Sequence, residues 1–449
     1  MIPRLMELSR RHFLWASGAA TAAFCGFRSY VEGGRPDLRA KGFGDLIDDP
    51  RGILNLPPGF RYDVISETGE KMDDGFLVPG GHDGMAAFPG PDGKTILVRN
   101  HELDADDLRR SPFGRGNALL TQHAPIPLYD PGRGVKPGLG GTTTLVYDTK
   151  LRRLERHFLS LAGTWLNCSG GATPWGSWIS CEETVQRAVG PIEKDHGYAF
   201  EVPARAEIGV TEPLPLTALG RFRREAVAVD PESGIVYQTE DHAAGLLTRF
   251  LPKEPGKLAQ GGRLQALKLR DREPRTSNRS GDAPIVVGRP MPVEWIDLED
   301  VESPRTDLAS QGFAKGAAIF DRNEGIIYGN DAVYFCSTTG GERSKGQVWR
   351  LKGETLELFI EPNQQALLEN CDNLTVAPWG DLILCEDGPG TNRIVGVTGE
   401  GRLYTLALNV FNLSEFAGAT FSPDGTTLFV NIQRPGMTLA ITGPWERTH

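Results

Sequence analysis

The sequence has little cysteine, few helix-favouring runs and no excess of positive charge, and each shortage excludes a class of protein. Six cysteines in 449 residues are too few for a disulfide scaffold. The net charge of −10 argues against nucleic acid as a partner, because phosphate backbones select basic surfaces. Beyond the N-terminal region, no apolar run is long enough to span a bilayer.

Glycine and proline, by contrast, are plentiful. The chain has 55 glycines and 32 prolines, which together indicate many turns and hence many short strands. Two of the cysteines, Cys181 and Cys385, lie inside apolar stretches that are predicted to be strands, so we expect buried neutral thiols there. The composition therefore predicts an all-β globular protein.

The N-terminal segment carries a targeting signal. In "LSRRHFLWASGAATAAFCGF", Arg10 and Arg11 precede a short apolar stretch of small residues, which is the twin-arginine export pattern. We predict that residues 1–35 form this signal and a linker, and that the twin-arginine translocon carries the folded protein to the periplasm or the medium. No A-x-A cleavage site follows, and Phe24 before Cys25 makes a poor lipobox, so the sequence predicts no cleavage position.

A repeated pattern organises the rest of the chain. "CSGGATPWGSWISCEE" begins at Cys168, and "CDNLTVAPWGDLILCED" begins at Cys371. Cys168 precedes Pro174 by the same interval that separates Asp372 from Pro378 and Glu225 from Pro231. Segments 88–102, 315–339 and 416–433 fit the same frame, the second of them with a longer turn, which gives six units in all.

Each unit predicts a strand, a tight turn and a second strand. The units are spaced by roughly 45 to 90 residues, enough for two further strands each. This pattern predicts a single six-bladed β-propeller over residues 45–449; the alternative is an irregular pair of β-sandwiches. We expect "GFRYDVIS" near the start and "TLAITGPW" near the end to share the last blade. Such a ring closes its own core, so we expect a monomer.

The propeller geometry brings polar residues to one mouth of the central channel, because strand one begins where strand two ends. Carboxylates packed so closely repel one another unless cations neutralise them. Taken singly, each residue could be a solvent-facing strand cap, but their recurrence in register favours a metal cluster. Oxygen ligands suit Ca²⁺, and a cysteine thiolate adds a softer position for iron. Asn100 belongs to this mouth, Glu415 stands just ahead of unit six, and the metal-site candidates are Glu102, Cys168, Glu182, Glu183, Glu225, Glu240, Asp241, Asp372, Asn373, Glu386 and Asp387.

At these residues the sequence resembles the PhoX-type alkaline phosphatases. The matching pieces are "NHE", "GGTTTL", "NCSGGATPWGSWISCEE", "EAVAVDPESGIVYQTED", "CDNLTVAPWGDLILCED" and "EFAGATFSPDGTTLFVNIQ". The resemblance implies a six-bladed propeller, secretion in folded form, and hydrolysis of small phosphomonoesters by a cluster of Fe³⁺ and Ca²⁺ at the channel mouth. It also implies iron held by carboxylates and one cysteine, and Cys168 matches that cysteine.

Two departures from the family pattern weaken the activity prediction more than the fold prediction. Arg224 replaces a histidine before Glu225, and Ala317 stands about where unit four usually carries a glutamate. A reduced site would suit two alternatives, a calcium-dependent lactonase and a non-catalytic propeller that metals merely rigidify.

The sequence also suggests how phosphate is handled. Metal-ion catalysis needs no serine nucleophile, and Ser169 has no histidine partner in a recognisable arrangement. As phosphate contacts at the catalytic site we predict Arg249 and Lys315.

Overall fold

The structure, a computed structural model, describes residues 38–279, 281, 283–305 and 307–446. Nearly all of them belong to one compact unit, Ala40–His449. The predicted export signal, residues 1–35, lies outside the described residues. No helix in the described part of the chain combines the length and the apolar composition of a membrane span.

Strands dominate the described residues, and two short α-helices, Leu119–Gln122 and Leu308–Ala314, lie in connections between strands. The first strands are β1 (Leu54–Asn55), β2 (Arg61–Glu67), β3 (His82–Pro89), β4 (Thr95–His101), β5 (Gly140–Asp148), β6 (Arg153–Thr164), β7 (Asn167–Ala172), β8 (Ser177–Glu182) and β9 (Ala199–Pro203). The middle strands are β10 (Arg224–Val229), β11 (Val236–Glu240), β12 (Leu247–Pro252), β13 (Gly262–Leu269), β14 (Met291–Asp297), β15 (Asn323–Gly329), β16 (Ala332–Ser337), β17 (Gln347–Lys352) and β18 (Thr355–Ile360). The last strands are β19 (Cys371–Val376), β20 (Leu382–Glu386), β21 (Arg393–Val397), β22 (Leu403–Asn409), β23 (Phe416–Phe421), β24 (Thr427–Ile432) and β25 (Met437–Thr442).

These strands form five hydrogen-bonded sheets among the described residues, and the pairings between them are antiparallel. Four sheets run in the orders β3-β4-β5-β6, β7-β8-β9, β1-β22-β21-β20-β19 and β2-β25-β24-β23. The fifth has nine strands and consists of two antiparallel meanders, β10 to β14 and β15 to β18. They are joined where β14 pairs with β18 over two residue pairs, Met291 with Leu356 and Pro292 with Thr355.

The sheets stand in a ring around one axis. The first strands of the successive meanders contact one another in a closed cycle, in the order β3, β7, β10, β15, β19, β23 and back to β3. The predicted all-β propeller is thereby confirmed, although the sheets counted by hydrogen bonds number five and not six.

The pairing of an early strand with a late strand closes the ring. β2 pairs with β25 along its whole length, from Arg61 opposite Thr442 to Glu67 opposite Met437. This pairing confirms the expectation that the segments near the two ends of the chain share one sheet.

Small residues on the inner strands allow the close approach near the axis. A Cβ atom added to Gly171 of β7 would lie 2.0 Å from the backbone oxygen of Val227 in β10. Farther out, larger apolar side chains fill the space between sheets, and Phe335 and Trp349 are fully buried there. Burying side chains of this size contributes about 1.5–3 kcal/mol each.

The two cysteines expected to be buried are buried. Cys181 and Cys385 are free thiols with no exposed surface. Burial raises the pKa of Cys181 to about 12, and it also raises the pKa of Cys385, so both thiols are neutral.

The strand positions predicted for unit four, segment 315–339, begin too early in the sequence. Its first strand is β15, which begins at Asn323, and its turn is Asn330–Asp331, where both residues have positive φ angles of 50° and 55°. Ala317 precedes this hairpin and is fully buried in the core between sheets. The run "KGAAIF" carries the small and apolar pattern of an inner strand, but its residues Ile319 and Phe320 make only isolated bridges to Arg275 and Gly245.

Candidate metal centre

Each strand around the axis is interrupted by the same irregularity. Directly after its first residues the strand bulges, and two of its residues stand opposite one residue of the second strand, as between His82 and Met85 in β3 and between Cys371 and Leu374 in β19. Such bulges redirect a side chain and are common beside active sites. The first of the two bulged residues is Asp83, Cys168, Glu225, Glu324, Asp372 or Gly418 in β3, β7, β10, β15, β19 and β23, respectively.

Five of those six positions carry a carboxylate or a thiol, side-chain types that can bind a metal ion, whereas the second bulged positions carry small or polar residues. Those second residues are Gly84, Ser169, Ala226, Gly325, Asn373 and Ala419. They pack tightly around the axis: a Cβ added to Gly84 would lie 2.6 Å from the Ser169 Cα, and one added to Gly325 would lie 2.6 Å from the Asp372 oxygen. In five of the six strands, the bulge thus places one carboxylate or thiol next to closely packed backbone at the axis.

A second group of acids comes from the ends of the returning strands. Glu102, Glu183, Asp241 and Asp387 directly follow β4, β8, β11 and β20. Three of them, Glu102, Glu183 and Asp387, line the same cavity as Cys168. Asp241 instead forms a two-bond ion pair with Arg322, at 3.0 Å for each oxygen.

Successive residues of a strand point to opposite sides, and this rule separates the two acids of each predicted pair. Glu182 points away from the cavity and accepts bonds from the backbone nitrogens of Trp165 and Gly197 and from the His196 ring. Glu386 binds Arg393 through two contacts of 2.8 and 2.6 Å.

Glu240 behaves like Glu182 and Glu386, since it accepts a bond from the Leu246 backbone nitrogen. These three predicted ligands therefore lie outside the candidate metal groups and the cavity lining, and their hydrogen bonds hold the chain next to the cavity. Asn373 is not a ligand in any of the groups below either; its side chain contacts Ser169.

The cavity occupies about 560 Å³ at the channel mouth. Its wall is strongly polar and combines seven acids and thiols with two arginines. The lining residues are Glu102, Cys168, Glu183, Arg322, Glu324, Asp372, Asp387, Asn412, Leu413, Ser414, Glu415, Gln433 and Arg434.

Three groups of side chains within this region have the spacing that a metal ion needs. In each group, one potential ligand atom from every member lies within 4.8 Å of the others. The groups are Glu102 with Cys168 and Glu183, Glu225 with Glu324 and Asp372, and Asp372 with Asp387 and Glu415. Asp372 is shared by two groups, so neighbouring ions could share its carboxylate.

Without bound cations, burial and mutual repulsion disfavour the charged forms of these acids. Burial, together with neighbouring carboxylates, raises the pKa of Asp372 to about 8, and burial and Asp241 raise that of Glu183 to about 7. Burial and nearby acids also raise the pKa values of Glu225, Glu324 and Cys168 well above their ordinary range. Bound cations would reverse these shifts, because they favour the deprotonated ligands.

One buried atom indicates that a ligand is needed. The Oε2 atom of Glu225 is buried and has no hydrogen-bond partner among the described residues. Glu225 as a whole is only 2% exposed, so solvent does not supply that partner. Leaving such an oxygen without a partner costs free energy. An ion coordinated by Glu225, Glu324 and Asp372 would satisfy it, so the residues present fit a metal.

Four residues of this region are missing from the residues predicted from the sequence, although two of them, Asp83 and Glu324, fit the interval of the repeat. Asp83 precedes Pro89 by the same interval that separates Cys168 from Pro174. Glu324 precedes the turn residue Asn330 by that interval too. The absence of a unit-four glutamate, inferred from Ala317, is therefore wrong. Arg322 and Arg434 carried no motif.

The two predicted phosphate contacts lie outside the cavity lining. Arg249 on β12 stacks on Trp295, with its guanidinium carbon 4.3 Å from the ring centre, and donates to Gln265. Lys315 donates to the backbone oxygen of Asp297 at 2.8 Å. Neither belongs to the candidate metal groups or to the cavity lining.

The other predicted departure also lies away from the cavity. Arg224 is fully buried and donates to Gln238 and to the backbone oxygens of Leu219 and Gly220. Asn100, likewise buried, donates to the backbone oxygens of Cys168 and Ser169, so it supports the bulge of β7.

Comparison with known proteins gives a family and a fold. The family model described as "Alkaline phosphatase PhoX" matches residues 41–436. The structure of PhoX from Pseudomonas fluorescens, in complex with vanadate, a transition state analogue, is 17% identical with a TM-score of 0.63, and the match covers 87% of this chain and 96% of that one.

Other solved structures match more weakly. A gluconolactonase from Xanthomonas campestris is 12% identical with a TM-score of 0.38, over 89% of this chain and 100% of that chain. An inactive virginiamycin B lyase from Staphylococcus aureus, with quinupristin, is 12% identical with a TM-score of 0.37, over 85% and 99%. No curated protein matches the sequence.

Proposed function

The chain belongs to the alkaline phosphatase PhoX family, and we propose that it hydrolyses small phosphate monoesters with metal cations held in the cavity at the channel mouth. The observation that carries the proposal is the set of three ligand groups, each with donor atoms within 4.8 Å of one another. The partnerless oxygen of Glu225 supports it further.

The chemistry of the ligands differs among the three groups. Glu102, Cys168 and Glu183 combine a thiol with two carboxylates, a donor set that suits iron. The other two groups contain only carboxylates, which suit Ca²⁺. When bound, such cations supply Lewis acidity toward the phosphate oxygens.

The chain itself supplies positive charge at the cavity. Arg322 and Arg434 both line it, and guanidinium groups match phosphate oxygens in geometry and charge. Arg322 is held by Asp241 and Glu324, which fixes its position before substrate arrives. These two residues replace Arg249 and Lys315 as our proposed phosphate contacts.

No serine nucleophile is part of the proposal. Ser169 lies beside Cys168, but its hydroxyl is a partner of Asn373 across the axis, and no histidine bond to it occurs among the described contacts. We propose instead that water supplies the attacking oxygen, in keeping with metal-assisted hydrolysis.

We also propose that the ring has six blades over residues 45–449, with the metal cluster at one mouth. The nine-stranded sheet supports this count, because its two meanders each contribute one inner strand, β10 and β15, to the cycle around the axis. A monomer is the proposed state, since β2 and β25 close the ring within one chain.

The lactonase and the non-catalytic propeller lose their main support. Both depended on a missing ligand in unit four, and Glu324 stands at the bulge position of that unit within 4.8 Å of Glu225 and Asp372. For location, we propose export of the folded protein by the twin-arginine translocon to the periplasm or the medium, directed by residues 1–35.

The proposal is tested by metal analysis and turnover on one preparation. We expect purified protein to contain iron and calcium and to release p-nitrophenol from p-nitrophenyl phosphate, with the rate falling to background in EGTA. An aryl lactone serves as the parallel substrate. Turnover of the lactone without turnover of the phosphate ester would contradict the proposal, as would protein without metal.

A pair of matched variants adds a control. Glu183→Gln removes a carboxylate from the cavity and should lower both iron content and turnover. Glu207→Gln makes the same change at an exposed position away from the cavity lining and should alter neither.

A further inference from the structure

One apolar side chain stands in the wall of the cavity. Leu413 is the single aliphatic residue among the described lining residues, and its side chain is 65% exposed. A lone exposed leucine on a protein surface needs no explanation. Leu413 differs because the loop that carries it is fixed at the mouth of a site.

The loop that carries Leu413, residues 410–414, is held by hydrogen bonds to the Asn409 side chain. The Asn409 side chain donates to the Ser414 oxygen at 2.8 Å and accepts from the backbone nitrogens of Phe411 and Asn412. These contacts use the backbone of the loop and leave the Leu413 side chain out of the network.

The loop is also pinned from outside. Asn412 donates to the backbone oxygen of Arg434 at 2.7 Å, and the Arg434 nitrogen donates to the Ser414 hydroxyl at 2.9 Å. Asn392 donates to the Leu413 oxygen at 3.2 Å. Because both flanks and its own carbonyl are held, Leu413 keeps its place beside the cavity without packing into the core.

The position of Leu413 relates it to the reaction. Two residues later, Glu415 belongs to the ligand group with Asp372 and Asp387, and Arg434 lines the same cavity. A phosphate held by these groups would leave its ester group pointing toward the open mouth, where Leu413 is exposed. Preorganised apolar contacts of this kind strengthen binding without an ordering cost.

We propose that Leu413 is a specificity-determining contact for the organic group of the substrate, and that the preferred substrates are phosphate esters of aromatic or other apolar alcohols. This inference rests on the proposed function. It assigns to the cavity wall a role that the metal ligands, which bind only the phosphate, do not have.

Binding of two phosphonates tests the contact without turnover. Phenylphosphonate and methylphosphonate are titrated calorimetrically into metal-loaded wild-type protein, Leu413→Ser and Leu214→Ser. Leu214 is the matched control, since it is 64% exposed and absent from the cavity lining. We expect Leu413→Ser to weaken phenylphosphonate binding by about tenfold, the effect of losing part of a leucine contact, and to leave methylphosphonate binding unchanged.

Turnover separates this inference from the proposed function. The ratio of kcat/KM for 1-naphthyl phosphate to that for glycerol 2-phosphate should fall by about tenfold in Leu413→Ser only. Equal ratios in the three proteins, or equal loss of both phosphonates, would overturn the Leu413 contact while the phosphatase function stood. Hydrolysis of neither ester, with Leu413-dependent binding of phenylphosphonate, would contradict the proposed function and leave the apolar contact standing.

Discussion

The side chains of Ser169 and Asn373 meet across the propeller axis, with Asn373 Nδ2 donating to Ser169 Oγ at 3.3 Å, although 204 residues separate them in sequence. They occupy the second bulged position of β7 and β19, which are opposite strands of the inner cycle. Their contact joins two inner strands that face each other across the ring. The neighbouring first positions, Cys168 and Asp372, are consequently presented toward the cavity.

Cys168→Ser should remove iron and leave the fold intact, because the substitution is small and Cys168 is one of three ligands in its group. We expect iron content measured by mass spectrometry to fall with turnover, and calcium content to remain. Ser169→Ala is the matched control one residue away, and it should keep turnover within about threefold, the loss of one modest hydrogen bond. Unchanged iron in Cys168→Ser would show that the thiol is not a ligand.

Glu324→Gln should lower metal content and turnover while the protein stays folded, because Glu324 belongs to the group with Glu225 and Asp372. Ala317→Glu tests the discarded frame of unit four. Ala317 is fully buried in the core, so a carboxylate there should cost several kcal/mol of unfolding free energy and gain no metal. Increased metal binding by Ala317→Glu would restore the original interpretation.

Glu386→Gln should lower stability, whereas Asp387→Asn should lower metal content. Glu386 pairs with Arg393, and losing that buried carboxylate should cost about 3–5 kcal/mol of unfolding free energy. Asp387 lines the cavity and belongs to a ligand group, so Asp387→Asn should lose metal with little change in stability. Denaturant titration and metal analysis of both variants check this, and identical defects would refute the division into anchors and ligands.

His196 should make stability depend on pH. It is buried between Glu182, at 2.7 Å, and Asp130, at 3.2 Å. Burial acts to lower its pKa, but the two carboxylates outweigh burial and raise the pKa of His196 to about 9. A raised pKa means that the protonated ring stabilises the fold fully below the unfolded value of about 6.5, and that this contribution is lost as pH rises through about 9.

The measurement compares urea unfolding of wild-type protein and His196→Gln between pH 6 and pH 10. The difference in unfolding free energy should be about 3 kcal/mol at pH 6 and should shrink toward pH 10. His242→Gln, at an exposed histidine, is the control. A difference that stays constant with pH would contradict the charged state of His196.

The repeat made the fold predictable from the sequence. The interval from Cys168 to Pro174, found again from Asp372 to Pro378, determines both strands of a hairpin. The acids after the second strand follow from the same frame. The first strand of unit four was predicted too early because the buried run at Ala317 has the same small and apolar pattern as an inner strand. Only the register of β15 with β16 distinguishes the two segments.

The site was less predictable because it depends on bulges and on side-chain direction. Adjacent acids such as Glu182 and Glu183 are equivalent in sequence, and only the strand geometry assigns one to an anchor and the other to the cavity. Arg322 and Arg434 reach the cavity through tertiary structure and belong to no motif. Conversely, Arg249 is a surface contact of Trp295, which no local pattern could reveal.

The pairing of β2 with β25 constrains the order of events on the ribosome. β25 is the partner of both β2 and β24, so the nascent chain must be synthesised as far as Thr442 before β2 can find its neighbour. Until then β2 presents unsatisfied backbone groups to any other chain nearby. Premature termination just upstream of Met437 would therefore leave β2 and β24 without their shared partner. We expect such an open propeller to aggregate through these unpaired strand edges.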